Sequence, residues 1–156
     1  MSNNPYVAPQ SHVQQHEDLP VRPVKGIVIG LLIDLGGSIL AVALISFAYA
    51  TYIGSQGASA SEIESAMTST DLFSPLGLMN TVAGMAMSYL AGFYCLRISR
   101  GTNLRYPLIL AAIVLALGLG VGLAWETTNV FLLLSLAALG FGATLFGGAK
   151  ALRARP

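Results

Sequence analysis

Charge is nearly absent from four long stretches of this chain, and nothing else in the sequence constrains the fold as strongly. Asp34 is the only charged side chain between Gly26 and Tyr49, and Leu72–Leu96, Tyr106–Trp125 and Thr127–Ala149 carry none. A helix needs about 20 apolar residues to cross a hydrocarbon core of about 30 Å. The chain therefore reads as four membrane spans, over about 26–49, 75–96, 107–125 and 129–149. Ser74-Pro75 has the pattern of an N-cap followed by proline at the first helical position, and Pro107 takes the same helix-opening role in the third span. Overall, 54% of the residues are hydrophobic and 10% charged, against about 25% charged in a soluble domain. Four buried helices of a water-soluble bundle would each need a polar stripe, and these segments have none. The expected fold is all-α, an antiparallel four-helix transmembrane bundle occupying residues 25–150.

The eight basic residues occupy only three places. Arg22 and Lys25 precede the first span, Arg97, Arg100 and Arg105 lie between the second and third, and Lys150, Arg153 and Arg155 follow the fourth. Alternating spans put all of them on one face. The opposite face holds Glu62, Glu64, Asp71 and Glu126. Positive charge is retained on the cytoplasmic side, so both termini are expected there. Tyr49, Tyr52 and Trp125 then fall at outer helix ends, and Phe93, Tyr94 and Tyr106 at inner ones, at the headgroup level that amphipathic rings prefer.

Residues 1–24 are polar, contain Pro5, Pro9, Pro20 and Pro23, and include no apolar run of the kind a cleaved signal requires. They read as a disordered or polyproline-like cytoplasmic tail, with 151–156 as a short basic tail at the other end. The outer loop, 53–74, differs. Ser59 with Glu62, and Ser61 with Glu64, have capping-box spacing, which predicts a short helix over about 62–68 on the outer surface.

Between lipid-facing helices the hydrophobic effect gives no preference for protein over acyl chains, so association depends on close backbone approach and interhelical hydrogen bonds. Small residues recur at four-residue steps: Gly26, Gly30, Asp34 and Ser38 in span one, Gly84, Ser88 and Gly92 in span two, Gly140, Thr144 and Gly148 in span four. Gly26, Gly30, Gly84, Gly92, Gly140 and Gly148 are the expected helix-packing positions. They serve either packing within the chain or pairing with a second copy.

Asp34 is the residue most open to a functional reading. A charged carboxylate near the midplane costs about 2.5–3.5 kcal/mol on insertion scales, and no Lys, Arg or His shares its depth. It is expected to be held as the neutral acid and to donate a hydrogen bond, with Ser88, Tyr89 or Thr144, which antiparallel threading brings to similar depth, or Ser38 one turn on, as its partner. A protonatable group there either exchanges or relays a proton, or simply joins helices.

The remaining polar residues point to less. His12 and His16 have i, i+4 spacing, but no folded metal site is expected in the tail. Pro20-Val21-Arg22-Pro23 fits P-x-x-P and equally a stiff lead into the first span. Met79, Met85 and Met87 read as packing, Cys95 as a small buried residue at the inner interface, and Asn80 and Thr81 as interhelical hydrogen bonders. No span holds two ionisable groups, so neither an enzyme nor a cofactor site is expected. A net charge of +1 gives no reason to expect nucleic acid.

The start Asn4-Pro5-Tyr6-Val7-Ala8-Pro9 resembles the Asn-Pro-Tyr-x-x-Pro tail of small bacterial four-span inner-membrane proteins. Ala91-Gly92-Phe93-Tyr94 followed by Arg97, Arg100 and Arg105 is similar to the hairpin between their second and third spans. The resemblance implies a multi-pass protein of the bacterial plasma membrane. Four spans with an acidic residue in the first also resemble the small multidrug exporters. Those have shorter tails and loops and a tryptophan and tyrosine around their carboxylate, whereas the single Trp here is Trp125. The functional expectation is a structural or accessory subunit acting through helix contacts, as a homodimer or in a larger membrane complex. The alternative is a small proton- or cation-coupled transporter using Asp34.

Overall fold

A computed structural model describes residues 21–68, 72–124 and 130–154. Their regular elements are all helices, in the order α1 (Pro23–Ser55), α2 (Ala60–Thr68), α3 (Pro75–Ser99), α4 (Arg105–Ala124) and α5 (Val130–Arg153). Helices α1, α3 and α5 are each long and apolar enough to cross a membrane. The reading of most of residues 1–24 as disordered, and those of His12, His16, Asp71, Trp125, Glu126 and Arg155, lie outside the described residues.

Local chemistry sets the helix boundaries. Pro23 opens α1. Ser74 caps α3 by accepting a hydrogen bond from the Gly77 N–H at 3.0 Å, with Pro75 following it. In α4, Pro107 sits in the first turn, where a missing N–H leaves nothing unpaired. Arg105 N–H donates to Asn103 Oδ1 at 3.2 Å, and α4 begins there, ahead of the proline. At 33 residues, α1 is about 50 Å long at 1.5 Å per residue. That exceeds the ~30 Å hydrocarbon core, so α1 runs past the expected end at Tyr49. Its far end meets α2, where Ile63 Cδ1 lies 3.5 Å from the position a Cβ on Gly54 would take.

Of the two capping boxes open to α2, the one at Ser59 forms. Glu62 Oε2 accepts from the Ser59 N–H at 2.7 Å and from Ser59 Oγ at 2.8 Å, while Glu62 N–H points back to Ser59 Oγ at 3.4 Å. Ser61 lies within the helix. The backbone bond first, and then the hydroxyl, hold the Glu62 carboxyl below its ordinary value of 4.5. A carboxylate lowered in the folded state stabilises that state fully above its unfolded value and loses the contribution as pH falls through the lowered one. Amide protection factors in the first turn of α2 should therefore be flat above pH 4.5 and fall below it. Glu62→Gln should lower them at neutral pH and flatten the profile; protection unchanged by that substitution would show that the box does not hold α2.

Helix α3 packs along both α1 and α5, and α4 leans on α5 and more lightly on α1 and α3. α1 and α3 run in opposite directions. Gly26 faces the backbone around Cys95 and Ser99, Gly30 faces Ala91 and Cys95, and Gly37 faces Met87. α3 and α5 run the same way, with Ser88 beside Gly140 and Gly92 against Thr144, and Gly147 meets the backbone of Tyr89 and Phe93. The Arg22 N–H donates to the Ser99 carbonyl at 3.0 Å, and Gly148 abuts Pro107 and Leu104. These contacts draw Arg22, Lys25, Arg97, Arg100, Arg105, Lys150 and Arg153 to one end of the packed helices. The α2 carboxylates Glu62 and Glu64 lie at the other.

The interior is small and the exterior large, the reverse of a soluble domain. Fully buried positions include Ala91, Cys95, Ser99 and Thr144, whereas Phe47 is 74% exposed, Ile39 72% and Phe131 81%. Water would penalise so continuous an apolar surface. Lipid does not, and in lipid small residues are what allow backbones to touch. The chain accordingly belongs in a membrane.

Candidate functional site

Asp34 is buried, at 4% exposure, on the α1 face that also carries Gly26, Gly30 and Ser38. Gly30, one turn before it, admits Ala91, Cys95 and Leu110 into close contact, so α1 lies near enough to α3 for a direct side-chain bond. Ser88, itself buried, supplies it. Its Oγ donates to Asp34 Oδ1 at 2.6 Å. Ser88 is one of the partners expected of the carboxyl, but the direction differs: the expected donor is the carboxyl, and here it accepts from the hydroxyl. On its own helix the nearest cation is Lys25, nine residues and about 13.5 Å away along the axis. A carboxyl whose partner is a hydroxyl rather than a cation is chemically free to take up or release a proton.

The other residues expected near Asp34 go elsewhere. Thr144 is fully buried, yet its Oγ1 donates to the Gly140 carbonyl at 3.0 Å and its backbone lies against Gly92. Tyr89 turns to α5, where its backbone meets Gly147 and its ring centroid is 6.0 Å from that of Phe146. Ser38 faces a cleft. Among the described residues only Ser88 hydrogen-bonds Asp34.

Four of the six expected packing glycines make close contacts: Gly26 and Gly30 on α1, Gly92 on α3 and Gly148 on α5. The other two do not. A Cβ on Gly84 would meet nothing within 4 Å, and one on Gly140 only Ser88 Oγ at 3.9 Å. Both face the cleft that receives Ser38. Gly147, absent from the expected set because it stands outside the four-residue ladder Gly140, Thr144, Gly148, makes one of the tightest approaches in the fold.

That cleft has a volume of about 420 Å³ and lies between α3, α4 and α5, with Ser38 of α1 contributing to its wall. Asn80, Gly84 and Ser88 follow one another at four-residue steps along its α3 side. Val114, Leu115, Leu133 and Leu136 form an apolar wall opposite. Thr81 Oγ1 is taken up by the Gly77 carbonyl at 2.8 Å, and Ser88 Oγ by Asp34. Asn80 Oδ1 is buried and has no hydrogen-bond partner among the described residues. Cys95 is a free thiol, fully buried against α1, and so is closed to acylation in the packed state. No group of three potential metal ligands occurs among the described residues. Set against known proteins, the chain matches no family model, no curated protein and no solved structure.

Proposed function

We propose that this chain is a four-span integral protein of a bacterial plasma membrane, with α1, α3, α4 and α5 crossing it and both termini cytoplasmic, and that Asp34 is the protonatable centre of a small proton- or cation-coupled transporter. The observation that carries the reading is the buried Asp34–Ser88 pair. A carboxyl with a hydroxyl partner and no counter-charge is the chemistry a coupled exchanger needs, and intramembrane ionisable groups are costly enough to be functional by default. Orientation is supported by seven cations gathered at one end of the packed helices and by the α2 carboxylates at the other. α4 is 20 residues long and uncharged after Arg105, about the length a crossing needs.

Purified protein in vesicles tests this directly. With a potassium gradient and valinomycin to set the potential, a pH-sensitive dye inside should report proton flux that Asp34→Asn abolishes while leaving the yield of folded protein unchanged. Equal flux in the two proteins, or none in either, would remove Asp34 from any coupling role.

A structural or accessory role rests on a different observation. Gly36 of α1, Gly120 of α4 and Gly142 of α5 meet nothing within 4 Å, so small-residue positions remain for a second copy or another membrane protein. Recovery in mild detergent of a larger complex that survives deletion of residues 1–24 favours this role. A lone chain whose Asp34 titrates favours transport.

A further inference from the structure

We propose that Arg22, Arg100 and Arg105 form a binding site, at the charged end of the packed helices, for the headgroup phosphate of an anionic phospholipid. The inference rests on the chain lying in a membrane and is independent of the role given to Asp34. It starts from the backbone of Arg100. Helices commonly end on a glycine in the left-handed conformation, where a Cβ is penalised. Here Gly101 is next in line, yet Arg100 takes that position with φ 56°, and among the described residues no other non-glycine residue has a positive φ. Strain of this kind persists where a side chain is needed in one place.

That place is a meeting of cations. The Arg22 N–H donates to the carbonyl of Ser99 at 3.0 Å, one residue before Arg100, and the Tyr106 ring lies against Gly101, which brings Arg105 in from the other side. All three arginines are exposed. The described carboxylates lie elsewhere, Asp34 within α1 and Glu62 and Glu64 on α2 at the opposite end. Arg22 stands at the start of α1 and Arg105 opens α4, and neither helix has an acidic residue in its first turn, so the positive ends of two helix dipoles add to the guanidiniums instead of offsetting them. Like charges gathered in this way call for an anion. Guanidinium recognises phosphate through paired N–H donors, and basic clusters at the cytoplasmic ends of membrane helices bind anionic headgroups. On the membrane side of the arginines, Val24, Val28 and Leu108 are exposed and apolar, a surface that an acyl chain covers and a free phosphate does not.

The test uses the full chain in a neutral detergent, with bound lipid counted by native mass spectrometry. Phosphatidylglycerol should bind saturably and at least about tenfold more tightly than phosphatidylcholine, whose amine balances its own phosphate. Arg22→Gln and Arg105→Gln should each weaken phosphatidylglycerol binding about fivefold, the share of one basic residue at a headgroup. Arg100→Gly should do the same while melting no lower than the wild type, because glycine relieves the backbone; this variant separates binding from folding. Arg97 lies two residues from both Cys95 and Ser99, which face α1, and so on another side of α3; Arg97→Gln should leave binding nearly unchanged. Asp34→Asn, which decides the transport reading, should leave it intact. Equal binding of the two lipids, equal losses from Arg97→Gln and Arg100→Gly, full competition by free glycerophosphate, or binding that appears only when Glu17→Gln and Asp18→Asn are combined would each overturn the site.

Discussion

Gly92→Leu destroys the packing of this protein in mild detergent, whereas Gly84→Ala on the same helix leaves it intact. The backbone of Thr144 in α5 occupies the space that any side chain on Gly92 requires, and a backbone of a packed helix cannot swing aside as a side-chain tip can. Overpacking a core commonly costs about 1–3 kcal/mol and sometimes more; with main chain as the obstacle, the upper end applies. Gly147→Leu behaves alike, because Tyr89 O and Phe93 N stand in its way. Gly84 opens onto the cleft, and alanine there should be neutral or more stable by up to about 1 kcal/mol, its advantage over glycine in a helix. Thermal unfolding of the purified variants, followed by circular dichroism, reads the difference. Equal melting of Gly92→Leu and the wild type would mean that α3 and α5 are not in backbone contact.

The second large effect is a coupling between residues on two helices. Ser88→Ala removes the donor to Asp34 and leaves a buried carboxyl stranded, with an expected loss of about 1–3 kcal/mol. Asp34→Leu combined with Ser88→Ala should restore much of that stability, since replacing both members of a pair by apolar groups is nearly neutral. Unfolding of the two single variants and the double variant in mixed micelles gives the cycle. Hydrogen bonds between membrane helices average about 0.6 kcal/mol and reach about 1.7, so a coupling near the upper figure marks this pair as a main tie between α1 and α3. Losses that simply add would show that the 2.6 Å contact contributes nothing in lipid.

The sequence revealed depth better than direction. Counting along each helix from its charged end was enough to place Ser88 and its neighbour Tyr89 at the level of Asp34, but it missed Thr144 by a turn, since Gly140 is the α5 residue beside Ser88 and Thr144 lies against Gly92. Which of them faces it depends on rotation about the helix axis, and helices that are apolar all round carry little amphipathic signal to fix that rotation. Ser88 turned inward to α1, while Tyr89, its immediate neighbour, turned to α5. Gly26, Gly30, Gly92 and Gly148 were legible because a four-residue repeat of small residues has one physical use between lipid-facing helices. Gly84 and Gly140 shared that repeat and line a cleft instead, because the helices that would close on them stand further apart. The orphaned oxygen of Asn80 had no signature at all, since a missing partner is a property of the packed fold.

Embedding in lipid, with all the described cations at the cytoplasmic leaflet, is the claim on which the rest depends, and single cysteines report on it most directly. Ser61 in α2 and Ala154 beyond α5 are both exposed, while native Cys95 is buried. In intact bacterial cells expressing Ser61→Cys or Ala154→Cys, a membrane-impermeant maleimide should label the first at once and the second only after lysis. Labelling at position 154 from outside, or recovery of the protein in the soluble fraction without detergent, would contradict both the orientation and the membrane fold.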